Sequence, residues 1–222
     1  MSFRTAIVLT IASTAGVALA QNGFVESFDA DAANWRNSNA SAVLDWFSSG
    51  ALDGSAYASS AFNLVNTSVG GFPPTVIRGE VGNGASGGAF AGDWIASGVT
   101  SISFDIRHSL PEPITITGRF ATPGNNPGAS TVTAAPVASN TWTTVTWDLT
   151  PGSTDIISFG SGTYETVFSN IGRIQLGFNV PASLAGQDLV ARFDIDNVRL
   201  VPAPGSLALL GLGGLAATRR RR

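Results

Sequence analysis

Apolar and polar residues alternate with a period of two along several stretches of the chain. Ile102, Phe104 and Ile106 form one series, Ile114 and Ile116 a second, Val145, Trp147 and Leu149 a third, and Ile174, Leu176 and Phe178 a fourth. Successive side chains of a strand point to opposite faces, so each series predicts a strand with one face buried. Clusters of Gly, Pro, Asn and Ser bound these runs, the densest at 82–88 and 123–128, and their residue types are those of tight turns. Between residues 21 and 201 no window of twelve or more residues carries a helical stripe. The fold class that follows is all-β, an antiparallel β-sandwich of two packed sheets. No linker divides this stretch and no repeat of solenoid or propeller spacing runs through it.

The last alternating segment, residues 192–201, breaks its own parity. Phe193 and Ile195 share one face, whereas Val198 and Leu200 continue on the other. One extra residue must be absorbed at Asp196 and Asn197, which predicts a β-bulge that re-aims the Asp196 carboxylate.

The two ends differ from the body. Residues 1–20 combine a basic start at Arg4, an apolar run over 6–19 and a small-x-small site at Ala18-Leu19-Ala20, the pattern of a secretory signal peptide. Residues 202–222 combine Pro202, Ala203 and Pro204 with an apolar, glycine-rich stretch and then Arg219, Arg220, Arg221 and Arg222. Terminal arginines hold the end of an apolar helix on the cytoplasmic side, which places the body of the chain outside. Fourteen apolar residues at about 1.5 Å each reach about 21 Å, short of a hydrocarbon core of about 30 Å. Snorkelling and local thinning make up such a difference.

Charge separates the ends from the body as well. The chain has 12 arginines, no lysine, 15 acids, one histidine and no cysteine. The body keeps all 15 acids and only seven of the arginines, a net charge of −8. That argues against a nucleic-acid or anionic-membrane surface and favours cations or neutral polymers over acidic ones as partners. Without cysteine there are no disulfide staples, and with His108 alone there is no nitrogen or sulfur metal chemistry. His108 follows a predicted strand and is expected at the surface. Glu26, Glu80, Glu112 and Glu165 are scattered rather than clustered as glycosidase chemistry requires, so no catalytic residue is assigned and the protein is expected not to be an enzyme.

The proline motif, apolar segment and arginine cluster of 202–222 resemble the PEP-CTERM sorting signal of Gram-negative bacterial proteins, with Ala203 standing where that motif has glutamate. The resemblance implies export, transient retention in the inner membrane, recognition by an exosortase-type sorting enzyme and delivery to the cell surface or extracellular polymer. The domain plan is then a signal peptide over 1–20, a β-sandwich over 21–201 and a sorting segment over 202–222. Within the body, the Phe24–Asp29 segment ahead of Trp35, the 140–149 segment and the final strand resemble galactose-binding-like jelly rolls of carbohydrate-binding modules. That resemblance implies a structural calcium between Asp29 and Asp196, which needs six to eight oxygens and hence carbonyls or water besides these two carboxylates.

An exposed indole stacks on the apolar face of a sugar ring. Trp147 shares parity with the apolar Val145 and Leu149, and Trp35 and Trp142 fall where the jelly-roll resemblance places structural aromatics. Trp46, beside Asp45, and Trp94, beside Asp93 in a glycine-rich loop, are therefore the candidates for ligand contact. The expected function is an exported, non-catalytic surface or matrix protein that binds extracellular polysaccharide. The alternatives are a purely structural surface protein, favoured if Trp46 and Trp94 are buried, and a secreted carbohydrate-active enzyme with carboxylates that converge only in the fold.

Overall fold

A computed structural model describes residue 20 and residues 23–203. In chain order its strands are β1 (Val25–Glu26), β2 (Asp45–Phe47), β3 (Tyr57–Asn63), β4 (Thr75–Glu80), β5 (Val99–His108), β6 (Ile116–Ala121), β7 (Gly128–Val132), β8 (Thr143–Asp148), β9 (Ile156–Ser158), β10 (Arg173–Phe178) and β11 (Val190–Pro202). The α-helix among the described residues, α1 (Tyr164–Phe168), is five residues long and is capped by Thr163. Two antiparallel sheets result. One has the order β2-β3-β11-β5-β8, with β1 also paired to β11; the other has the order β4-β10-β6-β7-β9. The protein is an all-β sandwich.

The alternating series supply the interior. Ile102, Phe104 and Ile106 of β5, Val145 and Trp147 of β8, and Phe193 and Ile195 of β11 face Ile116 and Phe120 of β6 and Ile174, Leu176 and Phe178 of β10, and all are buried. Aromatic contacts join the two sheets: Phe178 stacks on Phe193 at 4.8 Å and Phe120 meets Trp147 edge-on at 6.0 Å. Gly118 makes room for that indole, because a Cβ at this position would lie 2.5 Å from the Trp147 ring.

The bulge sits where parity predicts it. Asp196 pairs with Asp105 and Arg199 with Ser103, so three steps along β11 match two along β5, and Asn197 takes up φ 51°. Asn is one of the few side chains that tolerate this left-handed backbone. The swap of parity carries Val198 and Leu200 into the core.

His108 departs from its expectation. It ends β5 but is buried, and its Nε2 lies 3.1 Å from the Val137 carbonyl. The segment around Val137 pairs with Ile114 and covers the strand end, which a reading of β5 alone does not reveal. Burial holds the imidazole below its ordinary pKa.

Candidate functional site

The outer face of the five-stranded sheet carries a groove of about 470 Å³. Its walls come from the two edges of the sheet. Phe72 and Pro73 precede β4 on one side, and Ile157 and Ser158 lie on β9 at the other. Phe72 is fully exposed (100%) and Ile157 is 61% exposed. The floor between them is polar, with Thr75, Thr117, Arg119, Ser130, Gln175 and Asn179. Apolar walls over a hydroxyl-, amide- and guanidinium-bearing floor match a sugar, whose ring faces are apolar and whose edge bears hydroxyls.

Two glycines shape this groove. The register between β10 and β4 slips between Leu176 and Gly177, and a Cβ at Gly177 would collide with the Pro74 carbonyl oxygen. A glycine there lets the Phe72–Pro74 segment come in against β10. On the other flank a Cβ at Gly128 would lie 2.9 Å from Arg119 Nη2, so Gly128 gives the guanidinium its passage across β7. Arg119 then donates to Asn125 Oδ1 (2.5 Å), to the Asn125 carbonyl and to Asn126 Oδ1 (3.1 Å) in the turn before β7.

Beside the groove lies a network centred on Glu80. Its carboxylate accepts from Arg78 Nη1 at 3.0 Å, Arg173 Nη1 at 2.9 Å and Gln175 Nε2 at 2.9 Å. Burial pushes the Glu80 carboxyl upward, but the Gln175 and Arg78 hydrogen bonds and the Arg173 and Arg78 charges outweigh it and hold the group below its ordinary value.

The expected ligand residues lie elsewhere. Trp94 is not exposed: at 1% it belongs to the core, its Nε1 donates to the Phe90 carbonyl at 2.7 Å, and its ring packs on Phe120 and Phe168 at 5.5 and 5.9 Å. The neighbouring Asp93, which suggested a surface site, caps the turn by accepting from the Ala96 N–H, while the indole turns inward. Burying an aromatic ring yields about 2 kcal/mol or more, which a free surface position forgoes. Trp46 is 39% exposed, on the edge strand β2 of the other sheet, and its Nε1 donates to the Phe28 carbonyl at 2.6 Å. The indole thereby holds the chain just before Asp29. The two tryptophans do not form one surface, and neither lines the groove. Phe72, Arg119 and Gln175, which line the groove, come from three separate segments with no shared motif, so nothing in the sequence sets them apart.

Asp196 and Asp29 differ in setting. Asp196 is completely buried (0%). Its Oδ2 accepts from Ser55 Oγ at 3.1 Å and Asn197 Nδ2 at 3.1 Å, whereas its Oδ1 has no partner. Ser55 has a single hydroxyl proton, which it also directs at Asp53. Burial pushes the Asp196 carboxyl up to about 6; the hydrogen bonds from Asn197 and Ser55 oppose this and the nearby Asp53 and Asp105 add to it. Asp29 is exposed and accepts from Ser27 Oγ at 2.9 Å. Pairing of β1 with β11, Glu26 opposite Val198, runs the chain toward Asp29 alongside the bulge at the middle of β11, where Asp196 lies. Among the described residues no three acidic or histidine side chains are arranged to hold a metal ion. An ion at this place would fit the orphaned Asp196 Oδ1 and need hydroxyl, amide or carbonyl oxygens for the rest of its shell.

Of the residues expected to form a sorting signal, Pro202 ends β11 and the Ala203 N–H donates to the Gly98 carbonyl at 2.9 Å. Pro204 and Arg219, Arg220, Arg221 and Arg222 lie outside the described residues, as do residues 1–19 of the expected signal peptide. No helix among the described residues is long and apolar enough to cross a membrane.

No protein family and no curated protein sequence matches the chain. Solved structures are similar to it. An exo-β-agarase superposes with a TM-score of 0.53 at 14% identity over 82% of this chain, which spans 25% of the agarase chain. A carbohydrate-binding module of the β-sandwich superfamily, studied for promiscuous specificity, gives 0.48 at 12% identity, covering 83% of this chain and 63% of its own. A family 11 carbohydrate-binding module from Clostridium thermocellum, in complex with a β-1,3-1,4-mixed-linked tetrasaccharide, gives 0.45 at 15% identity, covering 84% and 98%.

Proposed function

We propose that this protein is a non-catalytic glycan-binding domain whose binding surface is the groove on the five-stranded sheet. The observation that carries the reading is the exposed Phe72 wall facing Ile157 across a floor of polar side chains. The groove lining contains no carboxylate, whereas glycoside hydrolysis uses a facing pair. The test is affinity electrophoresis of the full chain in gels containing xylan, mixed-linked β-glucan, agarose or the extracellular polysaccharide of the source cells. Saturable retention that disappears in Phe72→Ala supports the reading. Absence of retention on every polymer overturns it and leaves a structural surface protein.

The cellular setting in this reading is that of an exported protein, carried by the segment 1–20 and sorted through 202–222 by an exosortase-type enzyme, after transient membrane retention, to the surface or matrix. Intact mass of the protein from its own cells tests this: a chain still running from Met1 to Arg222 counts against both processing steps. A structural calcium bracing Asp29 to Asp196 belongs to the same reading, supported by the buried, unpartnered Asp196 Oδ1. Such an ion would join the first strand to the last; its loss on adding a chelator would lower the melting temperature.

A further inference from the structure

The two sheets carry opposite charge. The strands of the six-stranded sheet hold six acids and three arginines, a balance of −3, while those of the five-stranded sheet hold Arg78, Arg119 and Arg173 against Glu80 alone, a balance of +2. Arg36 extends the row, since it forms a two-way backbone bridge with Arg78, and its buried Nε has no acceptor. Four of the body's seven arginines therefore share one face of a domain whose net charge is −8.

Glu80 answers only two of them, Arg78 and Arg173. Arg119, the one charged residue in the groove lining, is held by the neutral amide and carbonyl oxygens of Asn125 and Asn126. Burial and the charge of Arg173 both lower its affinity for its proton. Asn125 and Asn126 take both Nη2 protons and one Nη1 proton, so this half-buried guanidinium, beside a second cation and with no carboxylate paired to it, keeps its Nε–H and one Nη1–H for an anion. Hydrogen bonds from a guanidinium to carboxylate or sulfate oxygens are charge-assisted and about twice as strong as neutral ones.

We infer that the groove recognises an acidic glycan, one bearing carboxylate or sulfate groups, with Arg119 as the residue that contacts the anion. This rests on the groove being the glycan site, and it narrows that site's ligand from polysaccharides in general to negatively charged ones. The average charge of the body points the other way because all of its acids but Glu80 lie on the opposite sheet, in α1 or in the loops.

The test compares charged polymers with neutral counterparts. Isothermal titration of the full chain is run against polygalacturonate and its methyl ester, and against a sulfated galactan and agarose, at low and at about 0.3 M salt. The expected result is at least tenfold tighter binding of the charged member of a pair at low salt, with the ratio shrinking as salt screens it. Arg119→Gln brings the ratio to about one, Arg119→Lys keeps most of it, and Arg199→Gln on the other sheet leaves it unchanged. Discrimination in one pair alone identifies carboxylate or sulfate as the group read. Equal binding of charged and neutral partners in the parent protein, or an unchanged ratio in Arg119→Gln, overturns the inference while the groove stands. No binding of any polymer removes the groove reading, and this inference falls with it.

Discussion

The outer faces of the two sheets use the same materials, arginine and aromatic rings, to opposite ends. On the six-stranded sheet Arg107 lies over the rings of Tyr57 and Trp142 at 5.2 and 4.7 Å and pairs with Asp194 at 2.8 Å, while Arg192 covers Phe47 at 4.7 Å and donates to Ser59. Trp142 spends its N–H on the Gly50 carbonyl. Arg107 and Arg192 there each have an anion or a ring, and Tyr57, Trp142 and Phe47 each lie beneath a guanidinium. On the five-stranded sheet Phe72 has no cover and Arg119 no carboxylate. Arg107 and Arg192 on the first face have their partners within the chain; Phe72 and Arg119 on the second do not.

This contrast breaks first on the closed face. Removing one member of a buried ion pair costs about 3–5 kcal/mol, because the other is left uncompensated. Asp194 is buried but Arg107 keeps some solvent, so Asp194→Ala is expected to cost about 3 kcal/mol by urea titration, with glycan retention per folded molecule unchanged. Loss of retention at intact stability would mean that the six-stranded face is the binding face.

Next come two buried carboxylates, one on each sheet. Glu80 is surrounded by Arg78, Arg173 and Gln175, whereas Asp196 meets Ser55 and Asn197 with Asp53 and Asp105 nearby. Without calcium, ionised Asp196 is a cost at pH 8. A rise from 3.8 to about 6 corresponds to at most about 3 kcal/mol, so Asp196→Asn in chelator is expected to raise stability toward that bound. Calcium is expected to stabilise the parent and not this variant. Calcium indifference of both proteins would remove the proposed brace and leave the carboxyl a protonatable core group.

On the open face the effect appears in binding rather than in folding. Phe72→Ala is expected to weaken glycan binding about tenfold, about 1.4 kcal/mol, with stability unchanged within about 0.5 kcal/mol, because the ring contributes nothing to the core. A matching loss of melting temperature would show that Phe72 covers part of the fold.

What the sequence makes legible follows the same division. The core faces of β5, β8 and β10 and the bulge at Asp196 and Asn197 are visible because burial imposes a parity that residue types must obey. The groove is not, since an exposed face imposes no such pattern: Thr117, Ser130 and Asn179 are unremarkable residues until the register sets them side by side. Trp94 misleads for a related reason. Its neighbours Asp93 and glycine report the backbone's exposure, while the indole's direction depends on Phe120 and Phe168 far along the chain.

The smallest effect is the pH profile, where the two sheets oppose each other. Asp196 is raised, so its penalty is full above pH about 6 and is relieved as pH falls from there toward 3.8, which adds stability to the metal-free protein. Glu80 is lowered, so its contribution is present above 4.5 and disappears as pH falls through its folded value. His108 is also lowered: the unfolded imidazole takes a proton below 6.5 and the buried one does not, which removes stability as pH falls. Between pH 6.5 and 4.5 the gain at Asp196 opposes the loss at His108, so the parent's melting temperature in chelator is expected to fall less than that of Asp196→Asn. Asp196→Asn exposes the histidine's decline from pH 6.5 downward, while Glu80→Gln removes the further fall below 4.5. A parent and an Asp196→Asn profile that run parallel across this window would mean that the Asp196 carboxyl titrates at its ordinary value, and with it the contrast between a carboxylate left short of partners and one supplied by two arginines would be lost.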